Sequence, residues 1–118
     1  MPRAKKKADR LKQVYRWLVE FFPTPYPTRL NLFRGTKRMS EHGYVVHESR
    51  NLIIHIDLRE PLYACLDTLL HEMAHAVVWK HQRVEKYYAT HSDDWGIAYA
   101  KIYRKFFEEG GRKESHDF

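Results

Sequence analysis

LDTLLHEMAHAVVWKH, residues 66–81, decides both the fold and the chemistry open to this chain. Leu66, Leu69, Leu70, Met73, Ala74, Val77 and Val78 recur at steps of three and four, which describes a helix apolar over most of its circumference. Such a helix belongs at the centre of a small domain. The spacing predicts one from about Leu62 to Lys80, with Pro61 in its first turn, where a missing N–H costs nothing. His71, Glu72 and His75 stand inside it. Residues four apart on a helix differ by about 40° in rotation, so His71 and His75 project side by side and can meet one metal ion at about 2.0 Å. Glu72 points about 100° away from His71, where a carboxylate can face a water at the ion without ligating it.

Five residues of H-E-x-x-H arise by chance in roughly 4% of shuffled chains of this composition, so the context has to decide. Two histidines and a glutamate on a buried helix are costly unless something satisfies them, and satisfaction by core neighbours is the competing reading. A catalytic zinc takes three protein ligands and leaves the fourth position to water. Cys65 is the only cysteine, which excludes an internal disulfide and any Cys-based zinc ribbon or finger. Cys65 itself reads as a small buried apolar residue. Any metal site must rely on His and carboxylate, and the third ligand must come from elsewhere in the chain. His81 is six residues past His75, about 240° around the helix, and faces away. His42, His47 and His55 fall among the strands, and His116 in the tail. His91, just before the last helix, is the strongest candidate on position.

The flanking segments give the fold class. Leu11, Val14, Tyr15, Leu18, Val19 and Phe22 place an amphipathic helix over residues 8–22, stopped by the three prolines of PTPYP. RLNLFRG, YVVHE and NLIIHIDL read as three short strands with turns at EHG and ESRN. The simplest arrangement is a mostly antiparallel three-stranded sheet with the Ile54/Ile56 strand in the middle. SDDW opens the last helix, with Ser92 as its N-cap and Asp93 and Asp94 in the first turn, where negative charge suits the helix dipole. Trp95, Ala98, Tyr99, Ile102 and Phe106 continue that helix to the Gly110–Gly111 pair. The expected fold is therefore α+β: one helix, a small sheet, a central metal-binding helix and a C-terminal helix. All 118 residues make one domain, with a basic arm over about 1–8 and a frayed tail over about 112–118.

Composition narrows the setting. With 43% hydrophobic and 31% charged residues the chain is globular in character, and no apolar run approaches the roughly 18 residues of a membrane span. MPRAKKKADRLK leads into a charged helix and not into an apolar signal core, so the expectation is an intracellular, unsecreted monomer, cytoplasmic or nucleoid- or nucleus-associated. The net charge of +6 is confined to the N-terminus: residues 1–16 hold seven basic groups against Asp9, and the remainder balances. Arg3, Lys5, Lys6, Lys7, Arg10 and Lys12 are thus candidates for non-specific contact with DNA or another polyanion, and a solubilising tail is the equal alternative. No aromatic residue is interleaved with these charges before Tyr15, which gives no support to a base-stacking surface.

TLLHEMAHAVVWKH followed by HSDDWGIAYAKIYRKFF resembles the SprT-like zinc metallopeptidases, the family that includes the Spartan DNA–protein crosslink proteases. His71, Glu72 and His75 match the family's H-E-x-x-H, while His91, Asp94 and Trp95 match its H-G-x-[DE]-[FW] segment. Ser92 stands where the family usually has Gly, and the four-cysteine zinc ribbon of many bacterial relatives is missing. The resemblance implies a minimal zincin-like domain with one Zn2+ on His71, His75 and His91. It further implies hydrolysis of a protein or peptide substrate, with Glu72 as the general base, and DNA-associated proteins as a candidate substrate class. Asp67, one turn before His71, is placed to orient that imidazole by a hydrogen bond, or is a solvated helix residue; Asp94 is a second candidate for support behind the ligands. The contrasting expectation is a basic nucleic-acid-binding module whose zinc site is structural or vestigial. Glu72 has no task in a purely structural site.

Overall fold

The computed structural model describes residues 2–36, 41–79, 91 and 93–109, with side chains from Lys5 onward. Six elements follow one another: α1 (Pro2–Phe21), β1 (Thr28–Phe33), β2 (Gly43–Glu48), β3 (Asn51–Asp57), α2 (Leu62–Val77) and α3 (Asp93–Glu108). The class is α+β, as the sequence indicates. The expected Ser92 cap, the connection after Trp79 and the C-terminal tail lie outside the described residues.

The sheet is mixed, with order β1-β3-β2. β2 and β3 form an antiparallel hairpin through Ser49 and Arg50, and Ser49 takes a left-handed backbone (φ 59°) in its turn. β1 lies on the other side of β3 and runs parallel to it, pairing Leu30 with Ile54 and Leu32 with Ile56. The expectation of a mostly antiparallel sheet is corrected on this point. Alternation of Leu30 and Leu32 fixes which face of β1 turns inward, but it is the same read in either direction and so carries no strand polarity. The central position of β3 is as expected, and its Leu52, Ile54 and Ile56 are fully buried.

All three helices contribute to one core, in which Leu11, Val14 and Leu18 of α1 join Leu69, Leu70 and Met73 of α2 and Ile102 of α3. α2 touches α1, α3, β2 and β3, which is why its sequence is apolar almost all round. It ends at Val77, earlier than expected. Trp79 is drawn into the core, where its indole Nε1–H donates to His47 Nδ1 at 3.3 Å. The basic segment is not a separate arm: α1 is helical from Pro2, because proline suits a first helical position and Ala and Lys are strong helix formers. Lys7 bridges from it to the turn after β3, donating to Leu58 O at 2.8 Å and Glu60 O at 2.9 Å. No described helix is long and apolar enough to cross a membrane.

Candidate metal centre

α2 sets His71 and His75 one turn apart, and the start of α3 brings His91 against them. One ring nitrogen or more from each of the three lies within 4.8 Å of the others. His71 Nε2 and His91 Nε2 are 3.2 Å apart, close to the roughly 3.3 Å that two ligands on a tetrahedral zinc would show at bond lengths of about 2.0–2.1 Å. The donor set fits such an ion: three imidazoles, with the single thiol, Cys65, buried elsewhere beside Asp57 O and Glu60 O. His75 is buried, His71 half-buried and His91 exposed, so the cluster opens to solvent on the His91 side. Burial and then the neighbouring His91 pull the His71 pKa down against the opposing Asp67 charge, which favours the neutral imidazole that binds metals.

Glu72 is 7% exposed. Its Oε2 stands 3.9 Å from His71 Nε2, and no hydrogen bond to its carboxylate is found among the described residues. Burial, and then the charge of Glu41, push its pKa up to about 7. A carboxyl with that affinity can take up and release a proton near neutral pH.

Trp95 forms a wall of the cluster. Its ring stacks on His91 at 4.3 Å and on His75 at 5.3 Å, and its Nε1–H donates to the backbone carbonyl of His71 at 3.3 Å. Tyr99, four residues on, stacks on Trp95 at 5.1 Å and donates its hydroxyl to Asp67 Oδ1 at 2.9 Å. Asp67 therefore meets the site through Tyr99 and through its field at His71; its described hydrogen bond is not to the imidazole. In the sequence Trp95 and Tyr99 are periodic residues of α3, Trp95 also matching the family segment, and neither feature indicates their stacking around the histidines. The signal available was the aromatic run Trp95, Tyr99, Tyr103 at steps of four, a stripe beside the buried Ala98, Ile102 and Phe106.

The remaining candidates are elsewhere. Asp94 borders a groove with Val77, Val78 and Lys101, and no described contact joins it to the histidines. His42 approaches Glu60 at 3.4 Å, His47 accepts from Trp79, and His55 pairs with Asn31 at 3.0 Å. His81 and His116 lie outside the described residues. Lys5, Lys6 and Lys12 are exposed on α1, Arg10 donates to Gln13 Oε1, and the side chain of Arg3 lies outside the described part. Lys7 is engaged in holding α1 to the β3–α2 turn, so it is a structural cation before it is a candidate for polyanion contact. No protein-family model, curated protein or solved structure matches the chain.

Proposed function

We propose that the chain is a zinc-dependent peptidase of SprT-like, zincin-like type, hydrolysing peptide bonds in protein substrates. One observation carries the reading: His91, distant in sequence, comes within ligand distance of the H-E-x-x-H pair His71 and His75, with Glu72 beside them. His71, His75 and His91 would hold the ion. Bound there, zinc would polarise the scissile carbonyl and acidify water. Glu72 would accept the proton of the attacking water at a carboxylate oxygen and deliver it to the leaving amine nitrogen as the C–N bond breaks. Trp95 would fix the plane of His91 and, through the carbonyl of His71, the spacing between α3 and α2. The exposed Lys5, Lys6 and Lys12 extend the reading to substrates associated with DNA, since cations on one helix favour salt-dependent contact with phosphate.

The test combines zinc content with cleavage of casein or histone, with and without single-stranded DNA. Glu72→Gln is expected to keep one zinc and lose cleavage; His91→Ala is expected to lose the zinc. Stoichiometric zinc at wild-type affinity in His91→Ala would remove the ligand assignment. DNA binding without cleavage in either protein would favour the nucleic-acid-binding module.

A further inference from the structure

A groove of about 710 Å³ runs between α2, α3 and the start of β2, within the range of roughly 300–1,000 Å³ typical of ligand sites. On α2 its lining reaches Leu70, the residue before His71. Ala64, which lines it, is seven residues before His71 and eleven before His75, so it lies between them in rotation, about 20° from each on α2. Asp67, also in the lining, is joined to the cluster through Tyr99 and Trp95. A chain lying across the histidines would therefore enter the groove by following one helix face toward its N-terminus.

The walls define what fits. Tyr63, Tyr103 and Phe107 line the groove and are 73%, 44% and 43% exposed, a set of large rings left open to solvent. Isolated apolar residues on a surface are ordinary; several converging on a concavity beside a candidate centre mark a ligand site. Among the described lining residues the charged groups are the carboxylates Glu60 and Asp67, with His42 beside Glu60, and none is Lys or Arg. The groove therefore complements an apolar group adjoining a positive charge.

We propose that this groove receives a polypeptide substrate with a large apolar or aromatic side chain seated between Tyr63, Tyr103 and Phe107, and a neighbouring lysine or arginine against Glu60 and Asp67. The proposal deepens the peptidase reading and rests on it for calling the occupant a substrate. It makes selection depend on a pair of adjacent side chains, one apolar and one basic.

The experiment measures equilibrium binding, so that it does not require turnover. Fluorescently labelled octapeptides containing Phe-Lys, Ser-Lys or Phe-Glu at the centre are titrated by anisotropy into zinc-loaded Glu72→Gln protein at low salt. Phe-Lys is expected to bind about tenfold more tightly than Ser-Lys and about fivefold more tightly than Phe-Glu, differences of the order expected for one buried ring and one partly exposed charge pair. The double substitution Tyr63→Ser/Phe107→Ser should erase the first preference, and Glu60→Gln should narrow the second; both ring positions are exposed, so the core is untouched. Equal binding of the three peptides, or preferences unmoved by these substitutions, would overturn the groove assignment. The two readings fail separately. Groove-dependent preference in a wild-type protein that never cleaves would sink the peptidase and keep the groove, whereas cleavage with no groove-dependent preference would do the reverse.

Discussion

The end of β3 and the middle of α2 each bury one carboxylate, and they treat it in opposite ways. Asp57, 1% exposed, accepts the backbone N–H groups of Gly35 and Arg59 at 3.0 Å each and the Arg59 Nε–H at 2.8 Å. Burial alone would raise its pKa, but those donors and the guanidinium charge outweigh it and hold the carboxyl at about 2. Glu72 has burial and the charge of Glu41 acting in the same direction, no compensating donor among the described residues, and a pKa pushed up to about 7. The difference lies in the surroundings and not in depth: a buried carboxylate given donors becomes a structural tie, while one denied them is left poised to gain a proton or a cation.

The largest expected effects come from exchanging these roles. Glu72→Gln should lower peptide cleavage by about 1,000-fold, within the span of general-base contributions, while costing no stability at neutral pH, because no donor loses its partner and a buried charge is removed. Asp57→Ala should do the opposite. It leaves two backbone N–H groups and Arg59 without their acceptor, at about 1–3 kcal/mol for each orphaned group, so a loss near 3 kcal/mol in urea denaturation is expected, with the histidines still binding zinc. Equal stability losses in the two variants would show that donors are not what separates the carboxylates.

The pH dependence of stability should separate them again, measured as urea midpoints in chelator. Asp57 falls from an ordinary 3.8 to about 2 in the folded state, so its contribution is full above about pH 4 and is lost as pH falls toward 2. Glu72 rises from 4.5 to about 7, so in the metal-free protein its contribution is present below about pH 4.5 and is lost as pH climbs through 7. Glu72→Gln should flatten the upper slope alone, and Asp57→Ala the lower slope alone.

The two regions were not equally legible in the sequence. α2 was, because Leu66, Leu69, Leu70 and Met73 repeat at helical steps around His71 and His75, and local periodicity places all of them at once. His91 required one long-range inference, and position before α3 was enough for it. The Asp57 tie left less of a trace: Arg59 is two residues away, but the Gly35 donor arrives only after β1 and β3 pair in parallel, an orientation that alternating leucines do not encode. Gly35 is part of the same arrangement: a Cβ there would collide with Asp57 Oδ2 and stand 2.9 Å from Arg59 Nη2. Trp95 was visible as a residue and not as a wall of the histidine cluster, because helical periodicity reports that a side chain faces inward and not what it faces.

Trp95→Leu probes that wall. Leucine keeps an apolar side chain at the α2–α3 contact but removes the stacking on His75 and His91 and the donor to His71 O, so zinc affinity should fall about tenfold, the lower end of what supporting groups around a metal contribute. Competition with a chromophoric zinc chelator reads this directly. Unchanged affinity would mean that Trp95 does not orient the ligands.

The smallest effect returns to the β3 end, where Lys7 crosses from α1 to the carbonyls of Leu58 and Glu60, directly after Asp57. Lys7→Met should cost about 1 kcal/mol in urea denaturation, the net value of hydrogen bonds from a partly exposed ammonium, while Lys6→Met should cost nothing measurable. Nucleic-acid affinity should show the reverse ranking. Lys6 projects into solvent and is free to release a phosphate counterion, so its loss should reduce the salt slope of DNA binding by about 1, and Lys7→Met by less. If Lys7→Met weakened DNA binding as much as Lys6→Met and left stability unchanged, the ammonium would belong to the basic surface and not to the tie. The β3 end would then rest on Asp57 and Arg59 alone.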